Sequence, residues 1–283
     1  MTGTGTGTDT AGGGPTLIAS DLDRTLIYSP AALALDMPDA DAPRLLCVEV
    51  HQGKPQSFLT ETAATLLTRL TAAPHAVFVP TTTRTRKQYR RISFPGRPAP
   101  YAICANGGHL LVDGETDWDW HAQVRRTLAA ECAPLAEVRD HLRRSADPRW
   151  LLKVRDAEDL FTYLVVERDL LPDTWAKDLA DWAGPRGWTV SLQGRKLYAV
   201  PGPLTKSAAV AEIARRTGAG TVLAAGDSLL DADLLLAADT GWRPGHGELA
   251  DTGWSAPHVT ALEGRGVSCG EEILRAFARH CGA

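Results

Sequence analysis

No run of about 18 apolar residues occurs anywhere in the 283-residue chain, which excludes an obvious membrane-spanning helix. Cysteine is sparse. Cys47, Cys104, Cys132, Cys269 and Cys281 are scattered, odd in number and form no Cys-x-x-Cys pair. Neither a disulfide framework nor a structural zinc site is expected from that spacing. A dominant charge of one sign is missing too. A net charge of −4 and a pI near 6.1 give no general pull toward nucleic acid or an anionic membrane, so neither is expected as a partner. Residues 1–14 are a Thr/Gly repeat without the basic and apolar segments of a signal peptide, and they read as a flexible tail. A cytoplasmic location is the expectation. What is present is ordinary for a folded protein: 44% hydrophobic and 23% charged residues, with length for one large domain or two modest ones.

Short apolar runs separated by polar clusters set the expected order of elements. Residues 16–20 read as a buried parallel strand, ending in the charged cluster Asp21-Leu-Asp-Arg-Thr25. A small hairpin is predicted over 45–59, then a helix over 61–70 capped by Thr60, then strands over 76–79 and 101–104. This β–α–β alternation predicts parallel pairing with right-handed crossovers. The pattern then changes: a helix over 121–144 broken near Pro134, strands at 150–155 and 161–166, a helix at 174–182, and strands at 188–192 and 196–200. The alternation resumes with a helix at 206–216, a strand at 221–225, and helices at 229–238 and 271–280. The expected fold is α/β: a doubly wound parallel-sheet core over 15–114 and 199–283, with an α+β cap inserted over 115–198. An insertion at the strand ends lies over the crevice where open α/β sheets bind ligands.

Four groups of residues carry chemistry. Asp21 and Asp23 follow the first strand, where one carboxylate can attack phosphorus while the other moves a proton; a solvated acidic turn is the plainer alternative. Thr81, Thr82 and Thr83 follow the second strand, either as phosphate-binding hydroxyls or as helix caps. Lys206 opens a helix, either neutralising phosphate or facing solvent. Asp227 and Asp231 follow a later strand and, with Asp21, would make an oxygen-rich pocket suited to Mg2+.

Their order along the chain is the specific signal. Asp-x-Asp-x-Thr, then a hydroxyl after a strand, then Lys, then Gly-Asp-x-x-x-Asp resembles the haloacid dehalogenase (HAD) superfamily, and the insertion resembles subclass IIB, with its Rossmannoid core and cap. That resemblance implies an Mg2+-dependent phosphatase acting on a small-molecule phosphate ester through an aspartyl-phosphate. It implies Asp21 as nucleophile, Asp23 as general acid/base, Thr82 (or Thr81) and Lys206 on the phosphate. Magnesium would be held by Asp21, the Asp23 carbonyl and Asp227, with Asp231 close by. Arg24, Thr25, Thr83, Arg84, Asn106, Gly107 and Arg195 are the expected substrate-side residues, Asn106-Gly107 matching the segment that leads into the cap. Arg24 departs from the pattern, standing where many relatives have glycine; Leu230, Pro80 and Thr83 depart as well.

The cap would act as a lid, with Gln193, Arg195 and Lys196 in its last hairpin turn. The basic segment 84–91 either binds a second anionic group of the substrate or forms a solvated face. Tryptophans 118, 120, 150, 175, 182 and 188 are expected mainly as packing for a small cap. Two other functions remain open: a phosphomutase or phosphotransferase, and a catalytically silent binding module.

Overall fold

The computed structural model describes residues 13–283, so the tail expected over 1–14 lies outside the described residues except for Gly13 and Gly14. Strand β1 (Thr16–Ser20) is followed by the hairpin β2 (Leu45–His51) and β3 (Lys54–Thr60). Helix α1 (Glu61–Ala72) begins where Thr60 Oγ1 accepts from the Ala63 amide at 3.0 Å, a cap worth about 1 kcal/mol. Next come β4 (Ala76–Pro80), the short α2 (Arg86–Tyr89), and the meander β5 (Tyr101–Cys104), β6 (His109–Val112) and β7 (Glu115–Thr116).

Two helices then replace the single broken one expected from sequence: α3 (Trp118–Glu131) and α4 (Leu135–Ser145), separated at Pro134. The inserted elements are β8 (Leu151–Ala157), β9 (Phe161–Val166), α5 (Asp173–Ala183), β10 (Trp188–Gln193) and β11 (Lys196–Pro201). The chain returns through α6 (Lys206–Thr217), β12 (Thr221–Ala225), α7 (Ala232–Ala237), β13 (Thr240–Arg243), α8 (Glu248–Asp251), β14 (Val259–Ala261) and α9 (Val267–Cys281).

The central sheet runs β14-β13-β12-β1-β4, and every pair in it is parallel. Both of its faces are buried, which is why its strands read as continuous apolar runs. Ile18, Phe78, Leu223 and Ala225 pack toward α1 and α9, whereas Leu17, Ala19, Val79 and Ala224 pack toward α6 and α7. Strand β1 lies between β4 and β12, so the chain leaves it in one direction and resumes on its other side. That switch in strand order opens a crevice at the carboxyl ends, where a doubly wound sheet takes its ligands.

The insertion forms a four-stranded antiparallel sheet, β10-β11-β9-β8. Its own core contains Val138 and Leu142 of α4, Leu179 of α5, and Trp150, Leu164, Trp188 and Leu197, so the tryptophans here serve mainly as packing.

Candidate active site

Asp21 lies one residue past β1, and its amide still donates to the Ala225 carbonyl at 2.9 Å, extending the pairing with β12. The chain then doubles back: the Leu22 carbonyl accepts from the amides of Thr25, Leu26 and Ile27. To make that turn Arg24 takes a left-handed φ of 66°, a conformation costing a non-glycine residue roughly 1–2 kcal/mol. Its carbonyl is held at 2.8 Å by His246 Nε2. The turn aims Asp21 inward, where Thr25 Oγ1 donates to Asp21 Oδ2 at 3.1 Å. Thr25, expected on the substrate, instead orients this carboxylate.

Lys206, at the first position of α6, is completely buried, with its ammonium 2.6 Å from Asp21 Oδ1 and 2.5 Å from Asp231 Oδ1. Burial disfavours its charged form, but the two carboxylates more than reverse this and raise its pKa. The backbone around it is fixed from the β5 side. Asn106 Nδ2 donates to the Leu204 carbonyl at 2.7 Å. Gly107 has φ 100°, and an added Cβ there would lie 2.1 Å from the Thr205 carbonyl oxygen. Asn106 and Gly107, expected on the substrate side, thus brace the loop that delivers Lys206.

Asp21, Asp227 and Asp231 form a buried group, each offering a carboxylate oxygen within 4.8 Å of the others. They are not equivalent. Asp231 Oδ2 accepts from the Asp227 amide, the Ser228 amide and the Ser228 hydroxyl, and its Oδ1 is taken by Lys206. It is saturated and acts as a brace. The one side chain paired with the Asp227 carboxylate among the described residues is Arg24, with Nε 3.3 Å from Oδ2. Among the described residues none donates to the Asp23 carbonyl. Burial in this cluster pushes Asp21 up to about 7, with Lys206 pulling it back and Asp231 and Asp23 adding to the rise. Burial and the neighbouring Asp21 and Asp231 raise Asp227 well above the carboxylate range. An under-partnered Asp227 crowded against Asp21, beside a carbonyl that accepts from none of the described residues, offers the oxygen donors a hard divalent cation requires.

Asp23 points away from this group. Arg84 grips it with two parallel bonds, Nε to Oδ2 and Nη2 to Oδ1, both 2.7 Å. Burial raises the Asp23 pKa, but the guanidinium outweighs it and the net shift is downward. Arg84 is itself backed by Glu49 at 2.7 Å through Nη1, and Glu49 also binds Ser57 and Arg91. A bulge in β2 beside Glu49 turns this acid into the interior. Sequence reasoning missed Glu49, because nothing local marks a hairpin acid as the partner of an arginine 35 residues away.

The basic segment 84–91 divides: three of its arginines pair with acids of the fold, while Lys87 and Arg90 are exposed. Arg84 and Arg91 pair with Glu49, and Arg86 pairs at 2.7 Å with Glu158 in the β8–β9 turn. Thr81 is spent: its hydroxyl donates to the Val79 carbonyl at 3.0 Å. The Thr82 oxygen accepts from the Arg84 amide at 3.1 Å, and the residue is fully buried. Thr83 is half-buried beside it. Arg195 turns along the inserted sheet, 3.8 Å from Glu167. A second unforeseen acid, half-buried Glu248 of α8, accepts from Ser191 Oγ at 2.6 Å, the Leu192 amide at 2.9 Å and the Leu229 amide at 3.0 Å. It fastens the β10–β11 hairpin down over the crevice.

No family model matches the chain, and no curated protein matches it. Solved structures do. The sucrose-phosphatase from Synechocystis sp. PCC6803, in complex with sucrose and phosphate, aligns over 94% of this chain and 98% of its own at 14% identity and a TM-score of 0.63. The C-terminal domain of trehalose-6-phosphate phosphatase from C. albicans aligns over 95% and 93% at 12% identity and a TM-score of 0.56. A HAD subclass IIB sugar phosphatase aligns over 94% and 99% at 13% identity and a TM-score of 0.55. At such identities the likeness is one of fold, and among the described residues no helix is long and apolar enough to cross a membrane. The fold is that of the haloacid dehalogenase phosphatases, cap included, as the order of the sequence motifs implied.

Proposed function

We propose that the protein is an Mg2+-dependent phosphatase that hydrolyses a small phosphate ester through an aspartyl-phosphate on Asp21. One observation carries this reading: a buried carboxylate at the carboxyl end of the central strand, 2.6 Å from a buried lysine and grouped with Asp227 and Asp231. Phosphoryl transfer needs little covalent machinery beyond a positioned nucleophile and charge neutralisation. In this arrangement Asp21 attacks phosphorus while Lys206 and the Thr82 hydroxyl take phosphate oxygens. The bond from phosphorus to the ester oxygen breaks, and Asp23 gives that oxygen a proton. Water, deprotonated by Asp23, then attacks the same phosphorus, freeing phosphate and restoring Asp21. Mg2+ held by the Asp21 carboxylate, the Asp23 carbonyl and the Asp227 carboxylate would neutralise the phosphate and the crowded acids. The region 115–198 serves as the lid that excludes water.

Arg84 holds Asp23 as a carboxylate, the form that activates water in the second half-reaction. A phosphate dianion in the crevice opposes Arg84 and favours the protonated acid required in the first. Arg84→Met should therefore move the acid limb of the kcat–pH profile upward by about one unit. An unmoved limb would detach Arg84 from the proton transfer.

The direct test is Mg2+-dependent release of inorganic phosphate across a panel of phosphorylated metabolites. Release from none of them, with a folded protein, would reject the activity and favour a silent binding module. A positional isomer in place of free phosphate would indicate a mutase.

Stability carries a separate signature. The folded Asp21 carboxyl has a pKa of about 7 against an ordinary 3.8, so it holds its proton more tightly folded than unfolded. That contribution is complete below pH 3.8 and is lost as the pH rises through about 7. Mg2+ competes with that proton, so its stabilisation should be largest above pH 7 and small near pH 5. Thermal melts with and without Mg2+ at pH 5 and 8 check this; an equal rise in Tm at both would mean the ion binds elsewhere.

A further inference from the structure

The antiparallel lid sheet has two unlike faces. Leu164, Leu192 and Leu197 lie on one, packed in the lid's own core. Strand register puts Lys153 and Arg155 of β8, Tyr163 and Val165 of β9, Lys196 and Tyr198 of β11, and Ser191 and Gln193 of β10 on the other. This second face looks toward the crevice. Ser191 reaches Glu248 on the core, and a Cβ on Gly194 in the hairpin turn would lie 3.5 Å from Arg24 Nη1.

Its charge is one-sided: three cations and no carboxylate. Three acids next to these strands are engaged with other arginines, Asp156 with Arg139, Glu158 with Arg86 and Glu167 with Arg195. Lys153, Arg155 and Lys196 are exposed, and among the described residues none of them forms an ion pair; the Lys196 ammonium lies 5.9 Å from the Tyr163 ring and within electrostatic reach of Tyr198 and Asp23. Across the crevice the core arginines that might have served a substrate, Arg84, Arg86 and Arg91, are committed to Asp23, Glu49 and Glu158. Lys196 also contributes to lowering the Asp23 carboxyl, which sets the two groups within electrostatic reach of each other. Unpaired cations spread over a tyrosine-bearing face match a leaving group with negative charge of its own.

We propose that the lid face bearing Lys153, Arg155, Lys196, Tyr163 and Tyr198 selects phosphate esters whose leaving group carries a second anionic group, a carboxylate or another phosphate. This rests on the phosphatase reading of the crevice and narrows it. A neutral polyol or sugar would leave these cations without a partner. The subsidiary anion is instead recognised by the lid, while the scissile phosphate stays with Lys206 and Thr82.

Matched esters test this. The value of kcat/KM for 3-phosphoglycerate should exceed that for glycerol 3-phosphate at least tenfold, and fructose 1,6-bisphosphate should be preferred over fructose 6-phosphate. Whichever arm shows the preference distinguishes carboxylate from phosphate. The preference should shrink as NaCl is raised from 50 to 500 mM, because exposed charges are screened. Lys196→Met and the double variant Lys153→Met/Arg155→Met should each bring the ratio toward one. Equal rates for charged and neutral members of both pairs would overturn the proposal, as would a ratio unchanged in the variants. Calorimetric binding of the same four esters to Asp21→Asn keeps this separate from the activity itself. An anionic preference in binding supports the lid assignment even without turnover, and its absence there refutes it.

Discussion

Replacing Lys206 with methionine should lower stability by about 3–5 kcal/mol, because removing one partner of a buried charge network strands the others. Here the ammonium is fully buried and answers two carboxylates, Asp21 and Asp231. Methionine fills similar volume, so the loss is electrostatic and not a cavity effect. For a protein of this size the loss corresponds to roughly 10 °C in Tm. Asp231→Asn in the same chain should restore part of it by removing one stranded charge. Activity in the single variant should fall at least ~10³-fold, because the phosphate loses its fixed cation. A variant with wild-type Tm would mean that Asp21 and Asp231 are already protonated and that Lys206 neutralises nothing.

Asp21→Asn should produce the largest kinetic effect with no loss of stability. An amide oxygen is too poor a nucleophile to form the acyl-phosphate, so kcat should fall by about 10⁴-fold or more. The same change removes one of three acids whose oxygens lie within 4.8 Å. Its pKa near 7 shows that ionising it in the folded state is unfavourable, so the metal-free variant at pH 8 should melt at or above the wild type. Mg2+ should lose most of its stabilising effect. Kinetics, melting temperature and metal response together separate loss of a nucleophile from loss of structure. Wild-type-like turnover would remove Asp21 from the chemistry.

The sequence made the element order legible because buried parallel strands and amphipathic helices leave strong local patterns. Residues 16–20, 76–79, 101–104 and 221–225 are strands where expected, and Thr60 caps its helix. The short strand β13 and the edge strand β14 beside it escaped, since four and three residues give no period to read. Helix α9 begins at Val267, ahead of the expected 271, because the left-handed Gly266 starts it. In the crevice, Asp21, Lys206, Asp227 and Asp231 do converge, as their place after successive strands suggested. What could not be read is pairing at a distance. Arg84 closes on Asp23 and Glu49, and Glu248 holds Ser191, through tertiary contacts with no local signature. Asn106, Gly107 and Thr25 have residue types that suit ligand contact, yet each is used to hold another site residue in place.

The central claim is that phosphate passes through a covalent bond to Asp21. Its most direct test is to quench the Mg2+-loaded enzyme with acid during turnover, reduce with borohydride and sequence the peptides by mass spectrometry. An acyl-phosphate at Asp21 predicts homoserine at position 21 in a substrate- and Mg2+-dependent fraction, absent from Asp21→Asn. Unmodified Asp21 during rapid turnover, or reduction at Asp227 instead, would contradict it.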